Sequence, residues 1–214
     1  MMTINSVAAC AYFSRVAALF IIIITTLIVG CALPERGASP VLYDFGERAL
    51  PASAAVAATP ARPALAISVH AAASLESTAL QYRLAYDDAR QLRAYALARW
   101  AVPPADLVQQ RLREGLSRQR TVLKPGQGAP LLLALELEEF SQVFDKPGQS
   151  VGVLRLRATL QQASTSGLKT VAQRSVQVQR PAPTAGASGG VRALEAATDA
   201  AVAELAQWLQ SVAP

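Results

Sequence analysis

The stretch Val151-Gly152-Val153-Leu154-Arg155-Leu156-Arg157-Ala158-Thr159-Leu160-Gln161-Gln162 sets Leu154, Leu156, Ala158 and Leu160 against Arg155, Arg157 and Thr159. Successive side chains of an extended chain point to opposite faces, so this period of two specifies a strand with one face buried and the other solvated. Segments on either side read the same way: Leu131 to Phe144 before it and Leu168 to Gln179 after it. The chain therefore carries a run of three long strands in its second half.

Working towards the N-terminus, Pro125-Gly126-Gln127-Gly128 breaks the pattern, and before it the period changes. Pro103-Pro104 suits a first helical turn, Asp106 suits its positive end, and Leu107, Val108, Leu112 and Leu116 share one face, which predicts a helix from about 104 to 118. Leu80, Tyr82, Leu84 and Tyr86 alternate, Asp87-Asp88 supplies a turn, and Leu92 to Trp100 completes a predicted hairpin. Ala64 to Ala71 reads as a further strand, and Val41 to Phe45 as a short one ending at Gly46, with an Ala/Pro-rich connection from Leu50 to Pro63 between them. Beyond the last strand, Arg180 to Gly190 is Gly- and Ser-rich and reads as a flexible loop. From Val191 apolar residues recur every three or four positions and predict a second helix. Strands, helix, strands, helix gives an α+β fold: a mainly antiparallel sheet covered on one face by two helices, a two-layer sandwich.

Ahead of this domain the sequence has the order of a secretory signal. Arg15 precedes an apolar run from Val16, which closes on Ile28-Val29-Gly30-Cys31. Ile28, Val29 and Gly30 form a cleavage motif before a thiol, the pattern of a bacterial lipoprotein signal. Cys31 is then the lipidation site, expected to carry a covalent diacylglycerol and an N-acyl chain; several acyl chains make a durable anchor where one is marginal. An uncleaved spanning helix is the competing reading, because the run approaches the roughly 20 residues a bilayer requires. Ala32 stands where an Asp would retain a lipoprotein in the inner membrane, which favours the outer one. The expected organisation is a signal peptide over 1–30, a lipidated tether over 31–40 and a single periplasmic domain over 41–214. Cys10 falls in the signal and Cys31 takes lipid, so no cysteine pair remains to staple the domain.

The formal charge is +5, yet the basic residues are interleaved with acidic and apolar ones, as in Arg111-Leu112-Arg113-Glu114. That is the pattern of a solvated face and not of a nucleic-acid stripe. Enzyme chemistry finds little support. His70 is the sole histidine; the two Gly-x-Ser-x-Gly matches, Gly148 to Gly152 leading into an alternating strand and Gly186 to Gly190 in a Gly- and Ser-rich loop, do not read as the strand-to-helix elbow of a nucleophile; and no His, Cys or carboxylate group has metal-ligand spacing. Glu136, Glu138 and Glu139 read as a solvated strand face, and Gly186-Ala187-Ser188-Gly189-Gly190 lacks the lysine of a phosphate loop. The aromatics Tyr82, Tyr86, Tyr95, Trp100, Phe140 and Phe144 fit a core better than a lipid groove. Arg99-Trp100-Ala101-Val102-Pro103-Pro104 makes a stiff, partly apolar corner between strand and helix, and Trp100, Pro103 and Pro104 are the candidate partner-docking residues.

The lipoprotein signal, Tyr43-Asp44-Phe45-Gly46, Trp100 followed by Pro103-Pro104 and Leu107, Leu112 and Leu116, and the later Leu133, Leu135, Glu138, Phe140 and Phe144 together resemble the ABC-type transport auxiliary lipoprotein family, the PqiC-like lipoproteins. The resemblance spans nearly the whole mature chain. It implies an outer-membrane lipoprotein facing the periplasm, an accessory and not an enzyme. Its implied partner is a mammalian-cell-entry domain protein, in intermembrane phospholipid transport that supports membrane integrity. It also implies a homo-oligomeric ring suited to a symmetric tube. The alternative is a structural or assembly lipoprotein of the outer membrane or cell wall using the same anchor.

Overall fold

The predicted amphipathic strand lies at the centre of a three-strand antiparallel meander in the computed structural model, which describes residues 38–46 and 62–212. The meander is β6 (Leu131–Lys146), β7 (Gln149–Ser164) and β8 (Gly167–Pro181). Gly148 (φ 78°) and Gly167 (φ 115°) supply the left-handed backbone that its two tight turns require. The signal motif, Cys31 and most of the Leu50 to Pro63 connection lie outside the described residues.

On its other edge β6 is bordered by two shorter strands running end to end. β2 (Leu65–Ala71) pairs in parallel with the first half of β6, Leu65 beside Leu131, and β3 (Ala79–Leu84) pairs in parallel with its second half, Tyr82 beside Gln142. Between them Ala72 to Thr78 leaves the sheet and tucks Leu75 into the core, 3% exposed. β5 (Val122–Leu123) extends the sheet in parallel from β2, and β4 (Arg93–Trp100) extends it antiparallel from β3. β1 (Val41–Tyr43) pairs in parallel with β4. Among the described residues the α-helices are a short α1 (Ala85–Asp88), α2 (Pro104–Leu116) and α3 (Ala187–Val212). The fold of the described residues is thus mixed α+β, one curled eight-strand sheet with three α-helices.

This corrects the expectation of a mainly antiparallel sheet. Four pairings (β1 with β4, β2 with β5, β2 with β6, β3 with β6) are parallel and three are antiparallel. Period-two alternation reports which face is buried and says nothing of strand direction, and a parallel pair joins segments far apart in sequence. The predicted hairpin of β3 and β4 is present, with the Asp87-Asp88 turn inside α1.

A bulge keeps β6 facing the core along its whole length. Leu137 opposes Leu156 and Glu139 opposes Arg155, so Glu138 is one residue extra. Before it the odd positions Leu131, Leu133, Leu135 and Leu137 are buried; after it the even positions Phe140, Gln142 and Phe144 are. β7 needs no such shift: Ser150, Gly152, Leu154, Leu156, Ala158 and Leu160 are all buried opposite them.

The helices close over this face. α3 packs on β6, β7 and β8 and against α2, which lies along β2. The approach to β7 is close at Gly152, where a Cβ would fall 2.7 Å from the Ala193 carbonyl carbon and the Leu194 nitrogen. A further correction follows at the start of α3. Gly189 and Gly190, expected in a flexible loop, are buried in its first turns because a side chain at either would strike Thr184 or the Gln142 side chain. Their composition reflects contact distance and not freedom.

Candidate functional site

The Trp100 to Pro104 corner is built from beneath. The Trp100 N–H donates to the Thr78 carbonyl at 2.9 Å and the Ala101 N–H to the Tyr43 carbonyl at 2.7 Å, so the strand end is tied on both sides. Pro103 caps α2 and Pro104 occupies its first turn, where a missing N–H costs nothing. The Trp100 side chain is 1% exposed, with its ring 5.8 Å from Phe45 edge-on and 5.5 Å from Phe140. Pro104 is buried as well, and Pro103 is half-buried. Of the three candidate docking residues, therefore, Trp100 and Pro104 belong to the core, and Ala101 and Val102 are the exposed atoms of the corner.

Beside the corner is a residue that sequence reading placed on a solvated face. Arg111 is 3% exposed. Its Nη2 donates to Glu195 Oε1 at 2.9 Å and to the Phe45 carbonyl at 3.2 Å, its Nε lies 3.5 Å from an Asp199 carboxylate oxygen, and its guanidinium stands 5.3 Å from the Phe45 ring centre. Glu195 and Asp199 sit one turn apart on α3, so a single cation bridges α2, α3 and the segment after β1. Asp44, Phe45, Gly46, Leu107, Gln110, Arg111 and Glu114 line a cavity of about 120 Å³ there. The signal was present in the sequence: Arg111 follows Leu107 by four and Val108 by three, within the apolar stripe of α2.

On the opposite face of the sheet, His70, Glu136 and Arg157 stand abreast on β2, β6 and β7. His70 is exposed, and its Nε2 lies 3.0 Å from Ser68 Oγ. A Ser-His pair needs an orienting third group and an oxyanion site to act as a nucleophile. Among the described residues the His70 ring is hydrogen-bonded to Ser68 alone; the surrounding surface is a shallow depression of about 300 Å³. The bulge turns both Glu138 and Glu139 to this face. Glu138 meets Arg155 and Arg157 at 3.0 Å each, and Glu139 meets Arg83 at 3.3 Å. Glu138 and Glu139 thus form a charge network, more ordered than the solvated face expected of them, while Glu136 is exposed as expected.

The aromatics divide. Trp100 and Phe140 join Phe45, while Tyr82 lies 4.6 Å from Tyr95 and 6.1 Å from Phe144 in a second group; Tyr86 is exposed. The Tyr95 hydroxyl donates to Gln142 Oε1 at 2.9 Å, and Gln142 Nε2 donates to Ser150 Oγ at 2.7 Å. Burial, with a smaller contribution from neighbouring Tyr82, pushes the Tyr95 phenol up to about 12. Among the described residues no cluster of His, Cys, Asp or Glu is placed to hold a metal ion, and no helix is long and apolar enough to cross a membrane.

Comparison with known proteins agrees with this architecture. A crystal structure of a Xanthomonas campestris protein of the DUF330 family superposes with a TM-score of 0.64 at 21% identity, covering 79% of this chain and 94% of that one. A second crystal structure, of an uncharacterized protein, gives 0.59 at 15% identity, covering 80% and 99%. At these identities the likeness concerns the fold. No curated protein matches the chain. The sequence profile of the ABC-type transport auxiliary lipoprotein component matches residues 43–206, from Tyr43 on β1 to Ala206 on α3, and the chain belongs to that family.

Proposed function

We propose that the protein is a periplasmic lipoprotein anchored in the outer membrane through lipid on Cys31. It acts as an accessory subunit of an ABC-type, mammalian-cell-entry system for intermembrane lipid transport that supports membrane integrity. The observation that carries this reading is the family match over residues 43–206, standing directly behind a signal that ends in Ile28-Val29-Gly30-Cys31. Ala32 supports the outer membrane over the inner. The family is one of auxiliary components and not of enzymes.

In this reading the domain engages the end of an envelope-spanning mammalian-cell-entry partner, as a homo-oligomer matched to a symmetric tube. Trp100, Pro103 and Pro104 serve that contact by fixing the direction of α2. The buried Trp100 supports the surface and does not touch the partner.

The test is crosslinking and affinity capture from native envelopes, comparing the wild type with Cys31→Ser and identifying captured proteins by mass spectrometry. Capture of a mammalian-cell-entry protein, weakened without the anchor, is expected. Capture of assembly or cell-wall proteins alone would overturn the transport role.

A further inference from the structure

Large apolar side chains are strongly exposed in three places among the described residues: around β1 and the end of β4, at Tyr86 in α1, and at Leu168 and Val171 on β8. The first group is a cluster. Val41 is 55% exposed, Leu42 65%, Leu97 56% and Val102 40%. Ala98 and Trp100 turn inward, so Leu97 and Arg99 point to the other face of β4, where Leu42 lies directly beside Arg99. Val41, beside the inward Ala98, points to the opposite face of the edge strand β1, which among the described residues has no strand on its outer side, and Val102 follows at the corner. Adjacent exposed apolar side chains with a basic residue among them mark an interaction surface.

The chain itself indicates what covers it. Val41 follows Cys31 by ten positions, a contour of at most about 33 Å. Among the described residues no other exposed apolar group is so short a path from the membrane-directed segment. The chemistry also matches a bilayer boundary: leucine and valine side chains suit the upper acyl region, and the long stem of Arg99 lets its guanidinium reach lipid phosphates. We propose that the face formed by Leu42, Leu97 and Arg99, with Val102 at the corner, rests on the lipid surface to which the chain is tethered, setting the orientation of the domain. This inference rests on the anchored reading of Cys31.

Cys10 is lost with the signal and Cys31 is acylated, so Leu97→Cys places a single free thiol on this face; Leu168→Cys on β8 is the control. Each variant, purified from membranes in its processed form, is labelled with an environment-sensitive fluorophore and reconstituted into phosphatidylethanolamine and phosphatidylglycerol vesicles with and without brominated acyl chains. The expected result is a blue shift and bromine quenching at position 97 and neither at position 168. A label at 97 that stays unquenched on protein that floats with the vesicles overturns the lipid contact and leaves the anchor standing. Protein that does not float overturns both. Shielding of the 97 label that grows with protein concentration in detergent, without bromine quenching in vesicles, assigns the face to a second copy of the chain and overturns the lipid contact.

Discussion

Arg111→Met removes the cation that joins three segments while keeping most of the aliphatic stem. The guanidinium is 3% exposed and its partners Glu195 and Asp199 keep 37% and 29% of their side-chain surface exposed. Breaking a fully buried pair costs about 3–5 kcal/mol. The acids can recover part of their hydration through that exposed surface, so the loss falls at the lower end, about 3 kcal/mol. For a domain of this size each kcal/mol moves the melting temperature by about 2–4 °C, which gives a decrease of about 6–12 °C. Urea and thermal unfolding followed by circular dichroism measure it, and raising the salt concentration changes the difference little because the pair is shielded from mobile ions. Adding Glu195→Gln to Arg111→Met recovers about 1 kcal/mol, since the nearest of the three stranded carboxylates, Glu114, Glu195 and Asp199, is gone. A loss below about 1 kcal/mol for Arg111→Met, the range of an exposed ion pair, would refute the reasoning.

Two further outcomes test the packing and the buried phenol. Gly152→Val drives a branched side chain into the α3 backbone at Ala193 and Leu194, 2.7 Å from where its Cβ would stand; unfolding experiments should show a loss of at least about 1–3 kcal/mol, and an unchanged midpoint would mean that α3 does not lie where it is described. In absorbance titration at 295 nm, one of the five tyrosines should ionise near pH 12, and Tyr95→Phe should remove that late step. Because this folded-state value is raised above the ordinary phenol value, the associated stability is complete below about pH 10 and is lost as pH rises through about 12; with the ring half-buried, its size is below the roughly 2.7 kcal/mol of a two-unit shift. Titration of all phenols in a single step with no late component would contradict the buried hydrogen bond to Gln142.

The elements were legible in the sequence because each rests on local periodicity. The alternation of Leu154, Leu156, Ala158 and Leu160 is the buried face of β7, and the spacing of Leu107, Val108, Leu112 and Leu116 is the buried face of α2. Parallel pairing was not legible, because nothing within Leu65 to Ala71 encodes that its neighbour is Leu131 to Leu137 and not the next strand along the chain. Nor was the bulge, although its trace is visible in hindsight: the leucines of β6 keep odd numbers up to Leu137 and its phenylalanines take even ones from Phe140.

The same distinction between local pattern and tertiary distance governs the residues read as functional. Trp100 drew attention as a docking residue because a tryptophan before two prolines is unusual, and the fold uses it to hold Phe45 and Phe140 under the corner. Arg111 drew none because a charge inside a mixed run reads as solvated, yet its place in the apolar stripe of α2 requires partners from elsewhere, and Glu195 and Asp199 supply them from more than eighty residues away. Gly189 and Gly190 read as flexible by composition, yet a side chain at Gly190 would strike Gln142 on β6 and one at Gly189 would strike Thr184. In each case composition named the residue type correctly while only the distance to a second element decided its role. The exposed cluster at Val41, Leu42, Leu97 and Val102 follows the same logic in reverse. Val41 and Leu42 satisfy strand propensity on β1, and Leu97 does so on β4, without burial by the domain, and the proposed lipid contact would cover Leu42 and Leu97.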